Sequence, residues 1–531
     1  MIDIIRKPDD LLISTDNYPL CRKAKGVTVR FEIAQHKLKL FVSAKTEKPK
    51  FILLRWNYKT AEEVKVFGDK WERSYADLFW SSINPELFMP WYFFVSSKRE
   101  TTGIGVEVGA HSFVSFEYDS SGVSAWVDVR CGAQGVWLDG RELLACTFVN
   151  ESYTGISSFA AAKLFCNLMS PNPKLPDHIV YGSNNWYYAY GKSSREDILR
   201  DSEFLANLSE GLKNRPYMVI DDGWSLNLTD GPWLPNDTFG DMKTLANEMR
   251  KKGVRPGIWV RLLANSELSN KNPKWQLKRE CQTYTPPLDP SHPEVQEYLR
   301  QVLRSIKEWG FELLKHDYST CDLFEGFGFN LNGSITNEEN WTFFDNKKTS
   351  AEITLDFYRL IREECQDMVV ISCDTIPHLS AGIFELCRIG DDTSGKSWSR
   401  TRALGVNSLA FRLPQNESFY MADADCVCVF GNNIPWEMNK QWLYLLSKSK
   451  TPLFVSCSPK DATKEMIVDF KKAFCTANEN LQDIEPLDWE YNKNPSRWLI
   501  DTKEAEFDWI KQSYPMLLKR KIPPIADMEK I

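Results

Sequence analysis

The residues of this sequence with chemical content gather at the ends of short apolar runs. In FELLKHDYST (residues 311–320) the apolar Phe311, Leu313 and Leu314 give way abruptly to Lys315, His316 and Asp317. Such a run, bounded by turn formers, suits a strand buried on both faces of a parallel sheet. Folds of that kind hold their ligands at the C-terminal strand ends. Lys315 and Asp317, two residues apart, then share one face of the strand. By the same rule other runs end in Asn184, Asn185 and Trp186; Asp221, Asp222 and Trp224; Trp259 and Arg261; Cys373 and Asp374; Arg388, Asp391 and Asp392; and Asp423 and Asp425. This set is rich in carboxylates, tryptophans and hydrogen-bonding groups, and it lacks phosphate-cradling glycine loops and metal-binding histidines. It suits glycoside hydrolysis. There one carboxylate attacks or stabilises an oxocarbenium-like centre, a second protonates the leaving oxygen, and others grip sugar hydroxyls.

The elements that must position these residues are strands alternating with helices. Eight candidate strands lie at 179–186, 216–224, 255–263, 311–319, 368–374, 384–392, 419–427 and 451–458. Between them, 193–212 opens with a serine cap and an acidic first turn, 242–253 ends in Gly253, and 293–310 starts with proline and ends in glycine. Eight β/α units over this length predict a (β/α)8 TIM barrel, with a reduced unit between the fifth and sixth strands. Before it, residues 1–175 read as an N-terminal β-sandwich. Segments 26–34, 37–44, 51–58, 103–110, 112–119 and 123–130 alternate with period two between turn residues. The glycines of GIGVEVG fall within such a strand and open no helix, so they are not a dinucleotide loop. PNPKLPDH (171–178) marks the boundary, placing the barrel at 176–475. The remainder, 476–531, reads as a short C-terminal segment of two or three strands, its last dozen residues without fixed structure.

Composition narrows the function classes. A chain of 531 residues with a formal charge of −7 has no basic footprint for nucleic acid. No apolar run reaches the roughly 20 residues needed to span a bilayer. The charged start, MIDIIRKPDDLLIS, predicts an uncleaved, cytoplasmic chain. Thirteen scattered cysteines without CxxC, and six histidines without HExxH, predict reduced thiols, no metal and no cofactor.

Taken in order, NNWYYAYG, DDGW, PGIW, LLKHD, SCD and RIGDDTSGKSW resemble the α-galactosidases of glycoside hydrolase family 36, of the clan shared with families 27 and 31. The likeness runs from about Val180 to Cys426. FGDKWERSYADLFW (67–80) is similar to the sandwich that precedes the barrel in that family. The resemblance implies Asp317 as nucleophile and Lys315 as a sugar-hydroxyl ligand. It implies Asp392 as acid/base, with Asp391 at the variable position beside it. Arg388 would hold the hydroxyl next to the anomeric carbon and counter the acid/base. Asp221 and Asp222 would bind the 4- and 6-hydroxyls, Trp259 and Trp186 would line the sugar pocket, and Cys373 would lie near the nucleophile.

The implied activity is that of a retaining exo-acting α-galactosidase on an α-galactoside oligosaccharide or glycan. Its rivals are an α-N-acetylgalactosaminidase, an α-galactosyl transglycosidase and an inactive sugar-binding protein of the same fold. Retention predicts a carboxyl separation of about 5–5.5 Å, an ionised Asp317 and an Asp392 whose pKa burial raises. His316 is expected to pack away from the sugar, and Asp423 and Asp425 to support the site from behind. The long aromatic loop 320–348 is expected to shape the leaving-group side. A homo-oligomer is compatible with the sequence, although the short tail offers little for one.

Overall fold

Period-two alternation in the first 150 residues produces two antiparallel sheets. The computed structural model describes residues 2–510 apart from 61–62, 278, 280–285, 329–334, 337–339, 432 and 480. One sheet runs Asp10–Thr15, Pro49–Asn57, Gly122–Asp128, Phe113–Asp119, Met89–Pro90. The other runs Val27–Ala34, Lys37–Ala44, Glu142–Thr154, Glu100–Val106, Tyr92–Ser96, Lys65–Gly68. KLKLFVSA shows the cause: Leu38, Leu40, Val42 and Ala44 are buried while the residues between them are half-exposed. Trp56 of the first sheet meets Phe148 of the second edge-on, 5.6 Å between ring centres. The strand Tyr92–Ser96 is invisible to periodicity because all five of its residues are buried, so nothing alternates.

The second half is a parallel sheet wound into a β/α barrel. Its order is Met421–Asp423, Leu386–Arg388, Val369–Ser372, Leu313–His316, Arg255–Val260, Tyr217–Ile220, Tyr181–Asn184, Leu453–Cys457, Cys426–Val429. Eight predicted strands become nine segments because the seventh is broken. Met421–Asp423 pairs with the sixth strand and Cys426–Val429 with the eighth. Between them Asp425 takes a left-handed conformation, φ 68°. The ring therefore closes through the chain itself.

Helices flank the strands where their caps predict. Arg195–Leu208 starts at a capping box between Ser194 and Asp197. Pro293–Trp309 carries proline in its first turn and stops at Gly310, φ 89°. Between the fifth and sixth strands stands a single turn, Pro377–Ser380, the reduced unit.

After the last barrel helix, Glu485–Pro486, Arg497–Ile500 and Lys503–Glu506 form a three-stranded sheet. Nearby Trp489 packs 5.3–5.8 Å from Phe159, Trp80, Phe411 and Phe67, bridging sandwich and barrel. The stretch expected to lack fixed structure lies outside the described residues, as does part of the aromatic loop 320–348. Every described cysteine is a free thiol. Among the described residues no helix is long and apolar enough to cross a membrane.

Candidate active site

The strand Leu313–His316 sends alternate side chains to opposite sides of the barrel wall. Leu313 joins the barrel interior with Val219, Val369, Ile371 and Leu386, whereas Leu314 faces the surrounding helices. Lys315 follows Leu313 inward and His316 follows Leu314 outward. His316 packs against Phe357, Tyr358 and Phe384. Burial there pushes its pKa down to about 4. It is a neutral packing residue away from the pocket.

Asp317 is the first residue past the strand. Its N–H still donates to the Val260 carbonyl, and Tyr318 then turns the chain with φ 65°. The Trp259 indole N–H donates to Asp317 Oδ2 at 3.0 Å and the Tyr318 N–H to Oδ1 at 2.8 Å. Burial works to raise the Asp317 pKa. Arg73, Lys315 and the indole N–H outweigh it and leave the carboxyl below its ordinary value.

Lys315 donates to Asp221 Oδ2 at 2.7 Å, an oxygen that also accepts from Asn184 at 2.7 Å. Both side chains of the ion pair are nearly inaccessible, 6% and 4% exposed. Lys315→Met is therefore expected to cost about 3–5 kcal/mol of stability, because it strands a buried carboxylate. Denaturant unfolding measures this. Asp222, the next residue, accepts from the N–H groups of Gly223 and Thr229. Burial nevertheless raises its pKa to about 6.

The sixth strand carries Arg388, whose guanidinium meets three carboxylates: Asp425 at 2.9 Å, Asp423 at 3.3 Å and Asp392 at 3.3 Å. The two aspartates of the broken seventh strand thus hold Arg388 from behind. Asp392 is about one-third exposed at the pocket. Its pKa departs from the sequence expectation. Burial raises it, but Arg73, Arg388 and Lys315 together bring it below the usual carboxylate value. Asp391 lies between two guanidiniums, 3.2 Å from Arg73 and 2.5 Å from Arg400.

These groups meet in a cavity of about 250 Å³ at the C-terminal ends of the strands. Asp317, Asp392, Asp221, Asp222, Lys315, Trp259 and Trp186 line it, together with Asp391. Arg388 and Cys373 stand behind the wall. The buried Cys373 sulfur accepts from Arg73 Nη1 at 3.3 Å, and burial raises its thiol pKa. Five further residues complete the lining: Tyr318, from the strand-end run FELLKHDYST, and Phe327, from the aromatic loop 320–348, stand where the sequence leads one to look, whereas Arg73, Tyr75 and Thr229 are not foreseen. Arg73 and Tyr75 come from the sandwich, and their one sequence signal is a charged pair set among aromatics in WERSY. Among the described residues no group of three or more His, Cys, Asp or Glu side chains is arranged to hold a metal ion.

Solved structures share this architecture. The α-galactosidase of Thermus thermophilus, in complex with p-nitrophenyl α-D-galactopyranoside, superposes with a TM-score of 0.62 at 16% identity, over 90% of this chain and 96% of that one. The family 36 α-galactosidase AgaA of Geobacillus stearothermophilus gives 0.58 at 13% identity, over 85% and 67%. The galactosidase domain of the α-galactosidase–sucrose kinase AgaSK gives 0.58 at 12%, over 88% and 68%. No family model and no curated protein matches the sequence. The likeness thus rests on shape, and this chain has the sandwich-and-barrel fold of the glycoside hydrolase family 36 α-galactosidases.

Proposed function

We propose that the protein is a retaining exo-α-galactosidase, with Asp317 as nucleophile and Asp392 as acid/base. The observation that carries this reading is the meeting of both carboxylates, Asp221, Asp222 and two tryptophans in one small pocket. Such a pocket suits a single terminal sugar ring, hence exo action. Cations around Asp317 favour the ionised form that attack requires. Asp317 displaces the aglycone from the anomeric carbon and forms a glycosyl ester while Asp392 gives its proton to the leaving oxygen. Asp392 then takes a proton from water, whose oxygen attacks the anomeric carbon and breaks its bond to Asp317, releasing the carboxylate with configuration retained. Because Asp392 is held ionised in the free site, it takes up its proton from solvent as the sugar displaces pocket water.

The test is release of nitrophenol from aryl α-galactosides, with aryl α-N-acetylgalactosaminides and α-glucosides alongside. A wild type that splits no aryl α-glycoside sinks the reading. A second outcome concerns pH. Asp222 loses its proton near pH 6 and above that offers a full carboxylate to the sugar hydroxyls. KM is therefore expected to fall as pH rises through about 6, an inflection that Asp222→Asn abolishes.

A further inference from the structure

Arg73 enters the pocket from outside the barrel. Its segment follows the sandwich strand Lys65–Gly68 and reaches the end of the sixth barrel strand, where Ser74 forms a parallel bridge with Gly390. The Ser74 N–H donates to the Ile389 carbonyl at 2.9 Å, and the Asp391 N–H donates to the Ser74 carbonyl at 2.8 Å. Gly390 is required for the close packing of this rung: a Cβ there would lie 2.0 Å from the Leu404 carbonyl oxygen. The neighbouring Glu72 carboxylate is wholly buried. It accepts from the Tyr75 hydroxyl and the Gly328 N–H, both at 2.6 Å. The strap is thereby tied to the segment that brings Phe327 to the pocket.

The guanidinium of Arg73 is held by protein at each of its three nitrogens. Nε donates to the Tyr75 hydroxyl at 3.1 Å, Nη1 to the Cys373 sulfur at 3.3 Å, and Nη2 pairs with Asp391 Oδ1 at 3.2 Å. Each guanidinium nitrogen thus has a protein partner, and the residue lines the pocket beside Asp317 and Asp392. We propose that Arg73 is a positioning residue of this site: it draws Asp391 aside with one arm of its fork and so leaves Asp392 as the carboxylate opposite Asp317. The proposal rests on the glycosidase reading and extends it to the sandwich, which completes the barrel's catalytic pair.

The charge of Arg73 acts in the same direction. The groups facing Asp317 are the cations Arg73 and Lys315, the carboxyls Asp392, Asp222 and Asp374, of which burial raises the pKa of the last two, and the buried Cys373 thiol and Tyr318 phenol. Those facing Asp392 are Arg73, Arg388, Lys315 and Asp317. Arg73 is the cation common to both sets that the barrel does not supply. Without it the two carboxylates face each other with less compensation, and protonation of Asp317 becomes easier.

Arg73→Gln and Arg73→Lys test this in the full-length protein. Carboxyl ¹³C titration of aspartate-labelled protein, with Asp317→Asn and Asp392→Asn to assign signals, reads both carboxyls without substrate. Arg73→Gln is expected to raise the Asp317 midpoint by about one pH unit. The acid limb of kcat/KM should move with it, and kcat should fall roughly tenfold or more at near-constant KM. A folded Arg73→Gln whose midpoint and limb stay within about 0.3 unit of wild type overturns the proposal. Should that variant not fold, Arg73→Lys decides. It keeps the charge but loses the fork, so Asp317 should titrate as in wild type while kcat falls about tenfold. Wild-type kcat in Arg73→Lys overturns the proposal. If the wild type cleaves no α-glycoside, the glycosidase reading fails alone, and the carboxyl titration still tests the influence of Arg73 on the pair.

Discussion

Asp317→Ala is expected to lower kcat on aryl α-galactosides by at least about 10⁴-fold with little change in stability. The reason lies in how the carboxylate is held. Both oxygens are oriented by donors, the Trp259 indole and the Tyr318 N–H, and neighbouring cations outweigh the penalty of burial. No other carboxylate in the pocket has this combination. Asp221 is bound to Lys315 and Asn184, and Asp222 retains its proton up to about pH 6. Under the proposed mechanism, truncation should leave the alanine protein able to bind sugar and unable to form the ester. Steady-state release of nitrophenol gives the rate. Trapping with a 2-fluoro-galactosyl fluoride, followed by peptide mapping, should place the label on Asp317 and on no other residue. A variant that remains fully active would end the assignment.

Asp392→Ala and Asp391→Ala should separate cleanly. Loss of the acid/base is expected to cost about 10²–10⁴-fold on substrates with poor leaving groups and much less on nitrophenyl glycosides, whose leaving oxygen departs without a proton. Added azide should restore turnover of the Asp392→Ala enzyme and yield an α-galactosyl azide, since a small anion can attack the glycosyl ester without base assistance. Asp391→Ala should show neither leaving-group dependence nor azide rescue. Its carboxylate is committed to Arg73 and Arg400, so its loss should appear as lowered stability and as a modest fall in rate through freed guanidiniums. The reverse pattern would transfer the acid/base role to Asp391.

Much of this was legible in the amino-acid sequence because buried parallel strands announce themselves. The run Phe311–Leu314 ending in Lys315 and Asp317 suits a strand buried on both faces and followed by polar groups at the rim. The alternation that turns Lys315 inward turns His316 outward, and both follow from period two alone. Capping serine, proline and glycine likewise placed the helices Arg195–Leu208 and Pro293–Trp309 within a few residues. The wholly buried strand Tyr92–Ser96 and the break at Asp425 carried no such pattern. The first has no exposed face to alternate with. The second is a backbone turn imposed by closing the ring.

What the sequence determined by itself was the inventory: a barrel of β/α units behind a sandwich, with carboxylates, a lysine and tryptophans at one rim. Those properties are local, set by side-chain periodicity and by the two or three residues around each strand end. What only the tertiary structure decided was which carboxylate answers to which cation. Asp391 and Asp392 are adjacent and chemically identical in the sequence. In the folded chain Arg73, more than 300 positions earlier, is carried across by the sandwich and joins Arg400 on Asp391, whereas Asp392 pairs with Arg388. The pKa of Asp392 was misjudged for the same reason: burial is a local expectation, whereas the three cations that overrule it converge from three separate strands and loops.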